Sequence, residues 1–200
     1  MIKPYGQIGV KDSKTIDLQA EAKLIKALQS PKDRETAFRE LVSCYKERLY
    51  WHIRKIVLDH EDADDVLQNT FIKVFRSIDR FKGDSKLYTW MYRIATNESL
   101  SYLKAKARRN NVSVEELKQQ QLGQLESDVY FEGSAIQLQL QNAIASLPEK
   151  QQLVFNMKYF EDMTYEELSG ILETSVGGLK SSYHIAVKKI KAFLDQNETI

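Results

Sequence analysis

One stretch of the chain carries side chains suited to binding a nucleic acid. Thr89, Arg93, Asn97, Lys104 and Arg108 fall on one side of a predicted helix, and no carboxylate lies among them. Guanidinium and ammonium groups neutralise phosphate, and an asparagine amide can pair with a base edge. The stripe therefore predicts contact with a polyanion whose bases are exposed. The alternative is a solvated helix face.

A second basic surface lies near the C-terminus, in a pattern typical of a helix-turn-helix. Thr164 and Glu167 have the spacing of a capping box, and a short helix, a break at 173–175 and a longer helix follow. Because the second helix of such a motif enters the major groove, its first half should meet base edges. The candidate DNA-facing residues are Thr164, Gly177, Gly178, Lys180, Ser181, Ser182, His184 and Lys188. The alternative is a solvated basic face, which the helix macrodipole also favours.

The elements that carry these surfaces are predicted to be helices. The 200 residues include only 8 Gly and 3 Pro, and helical periodicity runs through long windows without strand-like alternation. We predict an all-α chain with two small helical domains. A flexible arm spans 1–16, a helical bundle 17–109, a flexible acidic linker 110–134, and a domain with the helix-turn-helix 135–195. A short helix in the linker is the less favoured alternative, because apolar residues are few there.

Apolar periodicity predicts the cores. Four residues at spacings of four, three and four define the inner face of the helix before the basic stripe: Leu67, Phe71, Val74 and Ile78. In the second domain Ile136, Leu140, Ile144 and Leu147 are predicted to form one inner stripe. Phe81, Tyr88 and Trp90 lie close to the basic stripe, where aromatic rings could stack on single-stranded bases. Trp90 fits a core position at least as well.

Several other functions find no support in the sequence. The single cysteine, Cys44, excludes an intramolecular disulfide and is predicted to be a buried, inert thiol. His52, His60 and His184 are scattered, so no catalytic residues and no cofactor are predicted. The acidic run 59–65 lacks the alternating ligands and turn glycine of a calcium loop, so no metal is predicted. No apolar run could span a bilayer, which predicts no membrane insertion and a cytoplasmic protein.

Three spaced motifs and the C-terminal helix resemble a known family. The runs 64–71, Phe81-Lys82-Gly83 and 89–97 are similar to the second conserved region of bacterial RNA polymerase sigma factors, most of all the extracytoplasmic-function group. Residues 175–184 resemble the recognition helix of the fourth region. The resemblance implies a transcription initiation factor without enzymatic activity, which binds core RNA polymerase, directs it to promoters and assists their opening.

The resemblance also implies roles for individual residues. The surface that docks on the polymerase would be Asp64, Asp65, Gln68 and Asn69. The opened minus-10 strand would be held by Phe81, Lys82, Gly83, Asp84, Ser85, Tyr88, Trp90, Arg93, Asn97, Lys104 and Arg108. The eight helix-turn-helix candidates would bind the double-stranded minus-35 element. The linker would thread toward the RNA path of the polymerase.

This chain departs from the family pattern at several positions. Glu173 stands where the family often has glycine, Ser182 and Ile185 where arginine is frequent, and Ser101 and Lys104 where an acid and an arginine are usual. An anti-sigma factor remains open as a further partner. Two other classes of protein also remain. One is a helix-turn-helix regulator with an N-terminal sensing or dimerisation bundle, and the other is a structural helical adaptor.

Overall fold

The computed structural model describes residues 18–123 and 135–197, and every regular element within those ranges is helical. The first four helices are α1 (Leu18–Gln29), α2 (Arg34–Val57), α3 (His60–Ser77) and α4 (Leu87–Arg109), with a 3-10 turn at Ile78–Arg80 after α3. The others are α5 (Val114–Gly123), α6 (Ala135–Ala145), α7 (Glu149–Tyr159), α8 (Tyr165–Leu172) and α9 (Val176–Asn197). The prediction of an all-α chain is confirmed. The predicted arm at 1–16 lies outside the described residues.

The described residues form two compact units that meet within the sequence of α4, between Tyr102 and Leu103. In the first unit α2 packs along α3, and α1 packs on α2. Leu41, Leu49 and Ile53 of α2 are fully buried, as is Val74 of α3. The four predicted inner positions of α3 and the following turn are all buried, because their spacing keeps them on one face of the helix.

The second unit packs α6, α7 and α8 against α9. Its core includes Ile144, Leu147, Phe155, Ala186 and Ile190. The prediction for Ile136 was wrong, since its side chain is 73% exposed. That residue lies in the first turn of α6, and the stripe becomes buried only further along the chain, where Leu140 is half-buried and Ile144 and Leu147 are buried. Periodicity alone could not indicate where the packing begins.

Helix α5 lies in the segment predicted to be a linker, where a helix was the less favoured alternative. Its first turn is capped reciprocally: Ser113 N donates to Glu116 Oε2 at 2.7 Å, and Glu116 N donates to Ser113 Oγ at 3.1 Å. Leu117 and Leu122 are buried, and buried Lys118 donates to Gln152 Oε1 at 2.6 Å. Burial lowers the pKa of Lys118. Two leucines and a capping box outweigh the polar composition here.

Cys44 corrects another prediction, because the structure exposes it. The buried positions of this part of α2 are Leu41, Tyr45 and Leu49, at intervals of four residues. Cys44 lies off that line, so an apolar neighbourhood in the sequence does not bury it. Within 18–123 and 135–197 no helix has both the length and the apolarity needed to cross a bilayer.

Candidate nucleic-acid interface

Helix α4 presents most of the predicted basic stripe to solvent. Asn97, Lys104 and Arg108 are exposed, and Arg93 is half-buried. Thr89 was predicted on the same face, but only 5% of it is exposed. The first turn of α4 is covered on several sides, since Leu87, Thr89 and Met91 are all buried. The solvent-facing stripe of α4 therefore begins at Arg93.

The loop before α4 combines an aromatic anchor with an exposed tip. Phe81 is 7% exposed, and its ring lies 5.2 Å from that of Trp90. Lys82, Gly83, Asp84 and Ser85 are exposed, and Gly83 has φ of +79°, a conformation that glycine adopts without a Cβ clash. The buried Phe81 ring fixes the base of the loop, so the tip is the part that can meet a ligand.

Two other candidate aromatic residues are partly covered. Tyr88 is half-buried, with its ring 4.7 Å from that of Tyr92 and the Arg48 guanidinium 5.3 Å from the ring centroid. Trp90 is likewise half-buried against Phe81. Each side chain therefore packs partly on neighbouring aromatic rings and leaves part of its surface in solvent.

The acidic start of α3 contains residues with different tasks. Asp59 caps the helix by accepting from Asp62 N at 2.9 Å, and Asp62 is buried where it accepts from Tyr102 Oη at 2.7 Å. The predicted polymerase-binding residues are all exposed on the outer face: Asp64, Asp65, Gln68 and Asn69. No group of metal-binding side chains occurs among the residues that the structure describes.

Two exposed apolar residues on that same helix were not among the predicted binding residues. Ile72 is 42% exposed and Phe75 is 38% exposed. The Phe75 ring lies 4.9 Å from that of Phe38, and the Arg34 guanidinium carbon lies 6.0 Å from its centroid. Ile72 and Phe75 each directly follow a core position, Phe71 and Val74, so they must lie off the inner face. Apolar residues outside the inner stripe of α3 were therefore the sequence signal for an exposed apolar patch.

The helix-turn-helix is built from contacts between near neighbours. Thr164 N donates to Glu167 Oε2 at 2.9 Å, and Glu167 N donates to Thr164 Oγ1 at 3.2 Å, which confirms the predicted capping box. Helix α8 ends at Glu173 with φ of 50° and ψ of 42°, the left-handed conformation that favours glycine. Ser175 Oγ then accepts from Gly178 N at 3.3 Å at the start of α9.

The two glycines of α9 differ in their surroundings. A Cβ on Gly178 would lie 3.2 Å from Ser175 Oγ and 3.4 Å from Thr174 Cγ2, so these side chains would have to shift by a few tenths of an ångström. A Cβ on Gly177 would meet no atom within 4 Å. The other candidates on α9 are exposed, namely Lys180, Ser181, His184 and Lys188, except for half-buried Ser182.

Two lysine ammonium groups lie near the ring of Tyr165, the first residue of α8. The ammonium groups of Lys158 and Lys180 lie 5.5 Å and 5.7 Å from the centroid of Tyr165. A cation over a tyrosine ring is attracted by the ring quadrupole. Tyr165 in turn makes an edge contact with Tyr183, whose pKa is raised by burial. Lys180 is thus restrained in position on the exposed side of α9.

Comparison with known proteins decides the family. The family model described as "Sigma-70 region 2" matches residues 41–109, and "Sigma-70, region 4" matches residues 137–190. The chain belongs to the sigma-70 family. A sigma factor of this kind is a transcription initiation factor that directs RNA polymerase to promoters, as the sequence resemblance predicted. The first match includes α3 and α4, and the second includes α8 and most of α9.

Named relatives agree with the extracytoplasmic-function group. This sigma factor is 33% identical over 153 residues to the ECF RNA polymerase sigma-E factor of Haemophilus influenzae, covering 72% of this chain and 80% of that one. It is 31% identical over 153 residues to the RNA polymerase sigma-H factor of Pseudomonas aeruginosa, covering 72% of this chain and 79% of that one.

Solved structures share the fold. CnrH, in complex with the cytosolic domain of CnrY, matches with a TM-score of 0.63 and 22% identity over 88% of this chain and 97% of that one. The sigma factor RpoE of Bartonella quintana, in complex with the anti-sigma factor NepR, matches with a TM-score of 0.60 and 18% identity over 79% of this chain and 96% of that one.

Proposed function

We propose that this sigma factor divides promoter recognition between α4, with the loop before it, and the helix-turn-helix. The tip Lys82–Ser85 and the exposed stripe from Arg93 hold the opened minus-10 strand, while the first half of α9 reads the duplex at minus-35. The exposed cations of α4 carry this proposal, because they line one face without an acidic residue. Exposed Asn97 adds a group able to read a base edge. Tyr88 and Trp90 supply partial stacking surfaces.

The outer face of α3 is the surface we assign to core RNA polymerase. The polar group Asp64, Asp65, Gln68 and Asn69 continues along the helix into exposed Ile72 and Phe75. An exposed apolar patch beside charged residues is a common feature of protein interfaces. The α3 surface is thus suited to a protein partner, whereas the cationic α4 stripe is suited to DNA.

The polymerase sets the distance between the two DNA-binding surfaces. Two modest DNA contacts held on one scaffold raise each other's effective concentration once that distance is fixed. The isolated chain should therefore bind promoter DNA weakly, and it performs no chemistry of its own. It acts in the cytoplasm, together with the polymerase.

An anti-sigma factor is a further proposed partner. Two solved structures with this fold hold a second protein, the cytosolic domain of CnrY in one and the anti-sigma factor NepR in the other. The exposed apolar residues of α3 support a similar encounter here, in competition with the polymerase. Competition predicts that excess core polymerase displaces such an inhibitor.

Run-off transcription with core polymerase and a promoter library tests the proposal. The parent chain should give start-site selection that core polymerase lacks. Asp65→Lys should reduce transcription and polymerase capture together, whereas Arg93→Glu should reduce transcription and leave capture intact. Tight operator binding by the isolated chain, unaffected by Asp65→Lys, would instead favour the helix-turn-helix regulator. Insensitivity to reversal of both Arg93 and Lys180 would favour the structural adaptor.

A further inference from the structure

We infer that α1 positions the loop before α4, whose tip is residues 82–85, and that Glu21 and Gln29 are the positioning residues. The inference rests on the proposed role of residues 82–85 in holding the opened strand. Helix α1 lies before residue 41, where the match to the region 2 family model begins. Its contacts with the loop are therefore additional to the matched segment.

Gln29, the last residue of α1, holds the entrance to the loop. Its Nε2 donates to Ile78 O at 3.2 Å and to Phe81 O at 3.1 Å, two carbonyls that are distant in sequence from Gln29. Arg34 Nε donates to Leu28 O at 2.8 Å, and the Arg34 guanidinium forms an ion pair with Asp79. The end of α1 and the turn at Ile78–Arg80 are thereby joined through two side chains.

Glu21 holds the exit from the loop. Its Oε1 accepts from Leu87 N at 2.8 Å, the first residue of α4. The first N–H groups of a helix have no partner within that helix, and a carboxylate there is favoured by the macrodipole. Helix α4 has no acidic residue of its own in the first turn. A residue 66 positions earlier in the chain supplies the capping carboxylate instead.

Both ends of the loop are consequently fixed to one rigid segment. Glu21 and Gln29 are eight positions apart in the helix, a rise of about 12 Å. The exposed tip 82–85 lies in the sequence between the two attachment points. Its shape therefore depends on two side chains of α1, outside the loop itself. Without the hydrogen bonds of either residue the tip would sample more conformations. The affinities for matched and mismatched strands would then differ less.

The test measures how the full chain, bound to core polymerase, discriminates between minus-10 strands. Single-stranded probes carry either the matched element or one altered base, and duplex probes do the same for minus-35. Gln29→Met removes both donors at similar volume, and Glu21→Met removes the acceptor. Glu21→Gln keeps an acceptor oxygen, and Lys26→Met is a control on the exposed side of the same helix.

We expect Glu21→Met to reduce minus-10 discrimination about fivefold, the effect of one ordinary hydrogen bond, and Gln29→Met, which loses two hydrogen bonds, to reduce it at least as much. Glu21→Gln and Lys26→Met should stay within about twofold of the parent, and minus-35 discrimination should not change. Equal losses at both elements, or a lower melting temperature with unchanged discrimination, would overturn the inference. If the parent itself cannot discriminate minus-10 strands, the proposed function fails. If the parent and both Met variants discriminate alike, only the positioning role fails.

Discussion

The two helices proposed to bind DNA, α4 and α9, are supported by different means. Helix α4 and its loop are held by side chains from α1, through hydrogen bonds between residues 49 to 66 positions apart. Helices α8 and α9 are held by a capping box and a serine cap, whose partners are three positions apart. Long-range hydrogen bonds tie the loop before α4 to α1, whereas the caps of α8 and α9 are formed by residues next to each helix.

The comparison predicts that damage to the first unit has the wider effect. Arg93→Glu should lower transcription by about 100-fold, since it removes a cation from the proposed strand-binding face and adds repulsion from phosphate. Lys180→Glu should lower it by only about tenfold, because the polymerase still holds the second unit close to its site. Run-off transcription measures both, with Lys23→Glu at an exposed position of α1 as the control. Equal losses from the two reversals would contradict the asymmetry.

Alkaline unfolding probes the α1–α2 packing on which the first unit depends. Burial, with a smaller contribution from the Glu21 carboxylate, raises the pKa of Tyr45 from 10.0 to about 12. The folded state then holds the phenolic proton more tightly than the unfolded state, so stability is lost as pH rises from 10 towards 12. Tyr45→Phe should remove about 2 kcal/mol of this loss. The free energy of unfolding of both proteins is measured with denaturant at pH 9 and pH 12. Equal losses in the parent and in Tyr45→Phe would contradict the role given to Tyr45.

The capping box allows a local test in the second unit. Thr164→Ala should destabilise that unit by about 1 kcal/mol, because Glu167 N loses its acceptor. Thr164→Ser keeps the hydroxyl and is the matched control. Hydrogen exchange should show the change in α8 and α9 and leave α1 to α3 unaltered. Increased exchange in both units would show that the second is less independent than its short-range contacts imply.

The smallest effect is expected at the turn. Glu173→Gly should stabilise the second unit by about 0.5 kcal/mol, since glycine takes the left-handed conformation without the steric cost paid by other residues. Glu173→Ala keeps a Cβ and should bring no such gain. Thermal unfolding of the three proteins measures the difference. A loss of stability with glycine would mean that the glutamate side chain contributes more than its backbone conformation costs.

The same contrast explains what could be predicted from the sequence. Thr164 and Glu167 are three positions apart, so a spacing rule found their capping box. Glu21 and Leu87 are far apart in the chain, and no local pattern pairs them. Family membership and the exposed side of α3 followed from motifs and periodicity. The exposure of Ile136 depends on where packing begins, which only the tertiary structure determines.

The predictions for the segment that contains α5 and for Thr89 differ from the structure for related reasons. The polar composition of residues 110–134 predicted a linker that is at most locally helical. Leu117 and Leu122 are nevertheless buried in α5. A helical wheel places Thr89 on the same side as the basic stripe. In the structure Thr89 is buried, because the first turn of α4 is covered on that side as well. A wheel assumes one buried side along the whole length of a helix, and tertiary contacts vary from turn to turn.

Gly177 leaves an open position at the start of α9, the helix proposed to read the minus-35 element. The space around its Cα is open, while a side chain on Gly178 would press on Ser175 and Thr174. Replacing a helical glycine by alanine gains roughly 0.5 to 1 kcal/mol of helix stability. Variants with altered promoter preference should therefore arise by substitution at 177, where new side chains can be tried without loss of folding, and seldom at 178.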